Sequence, residues 1–150
     1  MKPITYEQAL YRIAAWCSKA ERCRSDVRRK LSAWELTEGD IRKLIKHLEK
    51  ERFLDESRYA RAFVHDKSRY NGWGIHKIRN ELKKKGVPDS LISENLGSLD
   101  TEENFERLRH LLANKRKTVK GVDEFEIRNK LIRFALGRGY DYDEIMKALR

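Results

Sequence analysis

The sequence predicts an all-α protein built from three tandem three-helix repeats, and two observations support this prediction. Apolar residues recur with helical spacing along the whole chain, and no segment alternates convincingly with the period of two that marks a half-buried strand. The core pattern also returns at intervals of 51 and then 53 residues: Val27, Leu31, Ile41 and Ile45 shift onto Ile78, Leu82, Ile92 and Leu96, and these onto Leu131, Ala135, Ile145 and Leu149. A period near 50 residues indicates stacked supersecondary units. We expect the units to span residues 1–52, 53–99 and 100–150.

The first unit contains signals for three helices. Thr5 is followed three residues later by a glutamine, which is the pattern of a capping box, and predicts a helix that runs to about Ala20. A short second helix is predicted over residues 24–34. Thr37 is placed to cap a third helix, whose buried face continues to about Phe53.

The central unit begins at a carboxylate and is divided by glycines. Asp55 can accept the unpaired amide hydrogens of a first helical turn. Gly72 and Gly74 stop this fourth helix and free the backbone for a tight turn. The fifth helix then ends at Gly86, and Pro88 is well placed to open the sixth.

The third unit begins each helix with an acidic pair. Asp100, Asp123 and Asp141 are each followed three residues later by a glutamate, which predicts the seventh, eighth and ninth helices. The segment at residues 127–131 is nearly identical to that at residues 78–82, at an offset of 49 rather than 53. Both offsets fit if the eighth helix has one extra turn of about four residues.

The charge suggests a polyanionic partner. Lysine and arginine exceed the acidic residues by 34 to 24, giving a net charge of +10 and a pI near 9.7. The three units carry +5, +3 and +2, so none of them is a basic tail. No uncharged run is long enough to span a membrane, and the first residues form no apolar signal segment. We therefore expect a cytoplasmic protein.

Sequence motifs for catalysis or cofactor binding are missing. Cys17 and Cys23 lie six residues apart and form no CxxC pair, and Cys17 continues a buried stripe as a small core residue. The four histidines have no metal-ligand spacing. There is no glycine-rich phosphate loop or nucleophile elbow, and the acidic residues concentrate where helix capping already places them. We expect neither an enzyme nor a cofactor or metal site.

Several short motifs at fixed spacing resemble one known family. They are Asp26-Val27 and Lys30-Leu31 in the first unit, Leu54-Asp55-Glu56, Arg58-Tyr59-Ala60, Gly74, Lys77-Ile78, Glu81-Leu82 and Lys85-Gly86-Val87 in the second, and Arg133-Phe134-Ala135 and Arg138-Gly139-Tyr140 in the third. They resemble the RecX family, which regulates the RecA recombinase. The resemblance covers nearly the whole chain.

The resemblance implies a fold and a function. It implies an elongated, curved array that lodges in the groove of a RecA–DNA filament, blocks filament growth or promotes disassembly, and has no chemistry of its own. Strand exchange, ATP hydrolysis and the co-protease activity of RecA would then be damped. The expected partners are the RecA filament and single- or double-stranded DNA, bound without sequence preference directly or through the filament. The expected form is a monomer.

Three positions depart from the family pattern. Glu56 replaces an aspartate, which keeps the charge. Cys23 replaces a capping serine, and because a thiol is a weaker acceptor, the second helix is expected to start a residue or two late, capped by Ser25 or not at all. Glu35 replaces a terminal glycine, so the turn there is expected to differ from the turns that end the other two copies.

Basic residues are the candidate contacts to RecA or DNA, and most have a simpler explanation. Capping cannot explain Arg22, Arg24, Arg28 and Arg29, which lie around the start of a short helix. An ordinary solvated face competes for Arg58, Arg61, Lys67 and Arg69. The helix dipole could by itself account for the cations near two helix ends, Lys83, Lys84, Lys85, Lys115, Arg116, Lys117 and Lys120. Trp73 could stack on a partner, although packing at its helix junction is the more common role, and Tyr140 is expected to fill a core.

Two other functions fit the same residues. A three-helix unit with a basic helix after a glycine-containing turn also resembles a helix-turn-helix module that would bind DNA independently of RecA. Lys77, which is also a candidate contact to RecA or DNA in the filament, would be among the contacts of such a module. The other copies have different residues at the equivalent places, which argues against uniform reading of a site. A helical-repeat scaffold for some other protein is disfavoured only by the family resemblance.

Overall fold

The computed structural model describes residues 3–150, which form nine α-helices and no strand. The helices are α1 (Tyr6–Lys19), α2 (Arg24–Ala33), α3 (Glu38–Lys50), α4 (Glu56–Arg69), α5 (Ile75–Lys84), α6 (Asp89–Gly97), α7 (Thr101–Arg116), α8 (Glu124–Gly137) and α9 (Tyr142–Ala148). The predicted all-α repeat fold is confirmed. None of the described helices is both long and apolar enough to cross a membrane.

The helices pack as three groups of three, here called triads 1, 2 and 3 (α1–α3, α4–α6 and α7–α9), and each group has its own hydrophobic core. The repeated residues of the sequence lie at the centres of these cores. Leu31, Leu82 and Leu131, for example, are fully buried in the first, second and third core. Cys17 lies in the first core, as predicted, whereas Cys23 is buried in the core of triad 2. The unit boundaries at residues 52 and 99 stay a prediction.

Most of the predicted caps are present. Five side chains at helix starts accept a hydrogen bond from a backbone N–H three residues on: Thr5, Thr37, Asp55, Asp100 and Asp123. The first also forms the full capping box with Gln8. Two details differ from the prediction. α3 ends at Lys50 rather than near Phe53, and Asp141 stands at the start of α9 without making a side-chain cap.

The extra turn predicted in the eighth helix is confirmed. α2 and α5 each contain 10 residues, whereas α8 contains 14. The difference of four residues is about one helical turn. It reconciles the two offsets between the second and third repeats.

The expectation that Glu35 would change the turn after α2 is wrong. Glu35 has a φ of 60°, in the same left-handed region as Gly86 at 78° and Gly139 at 96°. In all three turns the amide of this residue donates to the carbonyl three residues earlier. The next residue, Leu36, packs against the core of triad 1 and thereby holds the chain in this path. Packing therefore imposes a backbone conformation that the side chain disfavours.

Replacing Glu35 by glycine is expected to stabilise the protein. A non-glycine residue in the left-handed region costs about 1 kcal/mol, and glycine removes that cost. We expect the free energy of unfolding, measured in urea, to rise by somewhat less than 1 kcal/mol, because glycine also gives the unfolded chain more freedom. Glu35→Ala is the matched control, since it removes the carboxylate but keeps Cβ, and should show no such gain. A gain of equal size in the control would contradict the explanation.

Candidate partner-binding surface

Triads 1 and 2 meet at a contact, here called joint 1/2, where the start of α2 lies against the end of α5 and the start of α4. The Ser25 hydroxyl donates to the Lys85 carbonyl at 2.8 Å. The Glu56 carboxylate accepts the Arg24 amide at 2.5 Å. α2 therefore begins directly after Cys23, and the predicted late start is wrong. The missing cap is supplied by Glu56, 32 residues away in triad 2.

Ion pairs also cross joint 1/2. Arg58 of α4 pairs with Glu21 at 2.6 Å, and this hydrogen bond raises the pKa of the guanidinium. Lys85 pairs with Asp26 at 3.0 Å. Burial opposes ionisation of Asp26, but hydrogen bonds from Cys23 and Lys85 hold the pKa of this carboxyl below its usual value. Charged side chains from both triads therefore hold the joint together.

The environment of the Glu56 carboxyl at this joint opposes its ionisation. One of its oxygens, Oε2, is buried and has no hydrogen-bond partner among the described residues. Burial raises the pKa of this carboxyl, and the Arg24 N–H and charge lower it only in part. Because the folded state therefore binds the proton more tightly than the unfolded state, stability declines as pH rises from the unfolded pKa to the folded pKa.

Replacing Glu56 by glutamine is expected to remove this pH dependence. Glutamine keeps an acceptor for the Arg24 amide and cannot ionise, so the variant should match the wild type at pH 3.5 and exceed it at pH 7. The gain should be below about 1 kcal/mol, because the site is only half-buried. Glu56→Ala, which removes the cap, should cost about 1 kcal/mol at pH 3.5 and less at pH 7, because the wild type loses stability between these pH values and the variant does not. Urea unfolding at the two pH values measures these differences, and a glutamine variant less stable than the wild type at pH 7 would contradict the assignment.

Triads 2 and 3 meet at an equivalent contact, joint 2/3, which is made by the backbone. The Gly74 amide donates to the Arg138 carbonyl at 2.7 Å, and the His76 amide donates to the Gly139 carbonyl at 3.0 Å. By the repeat interval Arg138 corresponds to Lys85, so the equivalent carbonyl is the acceptor at both joints. A Cβ on Gly74 would lie 2.5 Å from backbone atoms of Gly139. Joint 2/3 is therefore closed by two glycines, whereas joint 1/2 accommodates the side chain of Cys23 at the position of Gly74.

Polar side chains surround joint 2/3. His76 Nε2 lies 3.3 Å from the Asp141 carboxylate, and the Arg138 guanidinium donates to the Asn71 carbonyl at 3.1 Å. Asp141 thus contacts triad 2 instead of capping α9, which explains the missing cap. Arg69 approaches Glu103 of triad 3 at 3.7 Å.

Most of the predicted basic contacts also have partners within the chain. The arginine and lysine residues paired with a carboxylate are Arg24 with Glu49, Arg28 with Glu38, Arg29 with Asp26, Arg58 with Glu21, Arg69 with Glu103, Lys84 with Glu81, Lys85 with Asp26 and Arg116 with Glu124. Those over an aromatic ring are Arg22 on Trp16, Lys67 and Lys77 on Trp73, and Lys115 on Phe134. Over residues 3–150, neither type of contact is present at Arg61, Lys83, Lys117 and Lys120. Exposed pairs are weak, so pairing alone does not remove these cations from the candidate contacts, although a partner must compete with the carboxylate or the ring.

The two singled-out aromatic residues both pack within the fold. Trp73 packs edge to face against Phe63, with ring centroids 6.2 Å apart. The ammonium groups of Lys67 from α4 and Lys77 from α5 lie over its ring. Tyr140 is 4% exposed and belongs to the core of triad 3, as predicted.

Basic side chains from α2, from α3 and from the residue that follows α5 line a groove beside joint 1/2, here called the basic groove. Its volume is about 390 Å³. Its charged lining consists of Arg24, Arg28, Arg42, Lys46 and Lys85 with one carboxylate, Glu49. Sequence reasoning missed Arg42 and Lys46. Their spacing of four residues, next to the buried stripe of α3, was the available signal.

Family models match two of the three triads. Residues 55–96 match the second three-helix domain of RecX and residues 101–149 match the third. The regulatory protein RecX of Clostridium acetobutylicum is 34% identical over 149 residues, covering 97% of this chain and 69% of that protein. This chain belongs to the RecX family.

Other RecX proteins agree in sequence and in fold. The RecX of Prosthecochloris aestuarii is 30% identical, with 95% of this chain and 91% of that protein covered. The chain spans a smaller share, 58%, of a RecX from Clostridium botulinum. The crystal structure of RecX from Lactobacillus salivarius superposes with a TM-score of 0.82 at 22% identity, covering 96% of this chain and 94% of the other, and so has the same fold.

Several residues of the RecX motifs lie at the joints, while others are buried in the cores of the triads. Glu56 and Arg58 contact triad 1, Gly74 contacts triad 3, and Arg138 and Gly139 return that contact. These motif positions therefore specify how successive triads stack. The basic groove, by contrast, lies mostly outside the motifs, because only Lys85 of its five cations belongs to one.

Proposed function

We propose that this RecX-family chain is a non-catalytic regulator of the RecA recombinase in the cytoplasm. It binds as a monomer in the groove of the RecA–DNA filament. There it inhibits filament growth, strand exchange, ATP hydrolysis and co-protease activity. Membership of a family of regulatory proteins over nearly the whole chain is the observation that carries this proposal.

The structure offers physical support. Triad 2 contacts triad 1 through one joint and triad 3 through the other, so the triads follow one another in the order of the sequence. Such a row presents surface along its whole length, as a ligand lying along a filament requires. The net charge of +10 favours association with the polyanionic filament.

Inhibition of DNA-stimulated ATP hydrolysis tests the proposal. RecA from the same host is mixed with single-stranded DNA and with this protein well below the RecA concentration, at two salt concentrations. We expect inhibition at these amounts even where the protein alone binds the same DNA weakly. One bound molecule would then prevent the addition of many RecA subunits to the filament.

The same assay separates a RecA regulator from an independent DNA-binding protein. A protein that only competes for phosphates would inhibit once the DNA is saturated, and its effect would disappear with added salt. That result would overturn the proposal in favour of general nucleic-acid binding.

A further inference from the structure

We infer that the basic groove binds the sugar-phosphate backbone of one nucleic-acid strand, and that Arg42 and Lys46 are its principal contacts. The inference rests on the proposed function and deepens it, because it says which part of the chain meets DNA. The five basic residues that line the groove outnumber its single acidic residue. Ile45 is its one large apolar lining residue, so a predominantly hydrophobic ligand has little to contact.

Arg42 and Lys46 differ from the other cations of the groove in having no internal partner. Arg24 is paired with Glu49, Arg28 with Glu38 and Lys85 with Asp26. Over residues 3–150, no carboxylate forms a salt bridge with Arg42 or Lys46, and both side chains are exposed. Their charges are therefore available to replace the counterions of a bound polyanion.

The spacing of the cations suits a chain of phosphates. Arg24 and Arg28 are one turn apart on α2, and Arg42 and Lys46 are one turn apart on α3, so each wall carries two cations separated by about 6 Å along its helix. A strand carries one phosphate per about 3.4 Å of B-form axis, so one wall can meet successive or alternate phosphates. An acidic protein segment has a regular row of charges only if it is a helix with carboxylates four residues apart, whereas every nucleic-acid strand has one. The regularity favours nucleic acid over protein as the occupant.

Only the first triad carries the two unpaired cations. At the repeat interval Arg42 and Lys46 correspond to Ser93 and Gly97 in triad 2. The groove at joint 2/3 lies between α5 and the end of α8 and has no lining residue from α6, and its two lysines are Lys84, which is paired with Glu81, and Lys77, which lies over Trp73. The chain therefore has one such groove, not one per joint, within its described residues.

Neutralising the two cations tests the inference. The probe is a fluorescent oligothymidylate of about 20 nucleotides, and its binding to the protein alone is followed by anisotropy at several salt concentrations. Arg42→Gln with Lys46→Gln should lower the affinity at least tenfold at low salt. It should also reduce the slope of log affinity against log salt by about 1.4, since each contact to a single strand contributes about 0.7.

A matched variant separates the groove from net charge. Lys43→Gln with Lys50→Gln removes the same two charges from exposed positions of the same helix, outside the groove. It should change the affinity less than twofold. Neither variant removes a salt bridge of the described chain, and equal thermal melts confirm that both fold. Equal loss of affinity in the two variants, or none in the groove variant, would overturn the inference.

The ATP hydrolysis assay keeps this test distinct from that of the proposed function. If the groove variant loses DNA affinity but the wild type does not inhibit RecA, the groove is supported as a DNA-binding site and the proposed regulation of RecA is rejected. A groove variant that keeps its DNA affinity but no longer inhibits RecA shows that the groove binds protein, which overturns the inference and leaves the regulator intact.

Discussion

Replacing Gly139 by alanine is expected to lower the free energy of unfolding by about 3 kcal/mol and to open joint 2/3. A Cβ at this position would lie 2.4 Å from Cβ of Lys77 and 2.5 Å from its amide nitrogen, so α5 would have to move. The backbone there also has a φ of 96°, which alanine disfavours. Steric crowding and backbone strain therefore add. Urea unfolding followed by circular dichroism measures the loss.

Gly86→Ala is the matched control for this prediction, because Gly86 occupies the repeat-equivalent position at joint 1/2. Its φ is 78°, but no atom lies within 4 Å of the Cβ that alanine would add. Only the backbone cost of about 1 kcal/mol should remain. The difference between the two variants isolates the close approach of triads 2 and 3. Equal losses at the two positions would show that no such approach exists in solution.

Reversing Arg28 and Arg29 to glutamate is expected to abolish inhibition of RecA at substoichiometric amounts, with at least tenfold more protein needed for half-inhibition. Each reversal replaces an attraction to the filament phosphates by a repulsion. Arg28 lines the basic groove. The Arg29 side chain is 76% exposed, and its guanidinium forms a loose pair with the Asp26 carboxylate, with 3.9 Å between the nitrogen and the oxygen. Both internal ion pairs are exposed on the arginine side and contribute less than about 1 kcal/mol, so the helical circular dichroism should be unchanged.

Single reversals and a charge control make this result specific. If the groove is the contact surface, Arg28→Glu alone should cause most of the loss of inhibition that the double reversal causes. A larger effect of Arg29→Glu would place the contact on the outer side of α2. Lys43→Glu with Lys50→Glu reverses two charges elsewhere on triad 1 and should leave inhibition intact. If the double reversal of Arg28 and Arg29 still inhibits RecA, both residues leave the candidate surface.

Signals within one or two helical turns predicted most of the fold. The caps at Thr5, Thr37 and Asp55, the repeated core leucines and the extra turn of α8 all depend on residues close together in sequence, or on a comparison between copies. Each can be read without knowing which helix lies beside which. The RecX resemblance likewise came from motifs, and the comparisons confirmed it.

Part of the candidate site could be predicted in the same way and part could not. The arginines of α2 stood out because a cluster of positive charge at a helix start has no local explanation. Arg42 and Lys46 did not stand out, because two cations one turn apart on a helix usually form an ordinary solvated face. Only the neighbouring helix and the end of α5 turn that face into a groove.

The sequence by itself determined the number of helices, most of their starts, the three copies and the basic charge, because propensity, capping and hydrophobic periodicity act locally. The tertiary structure decided how the copies join. Glu56 caps a helix of the preceding triad, Gly74 and Gly139 touch across 65 residues of sequence, and Glu35 takes a glycine conformation. These contacts depend on the distance between triads, which is set by packing that no local pattern encodes.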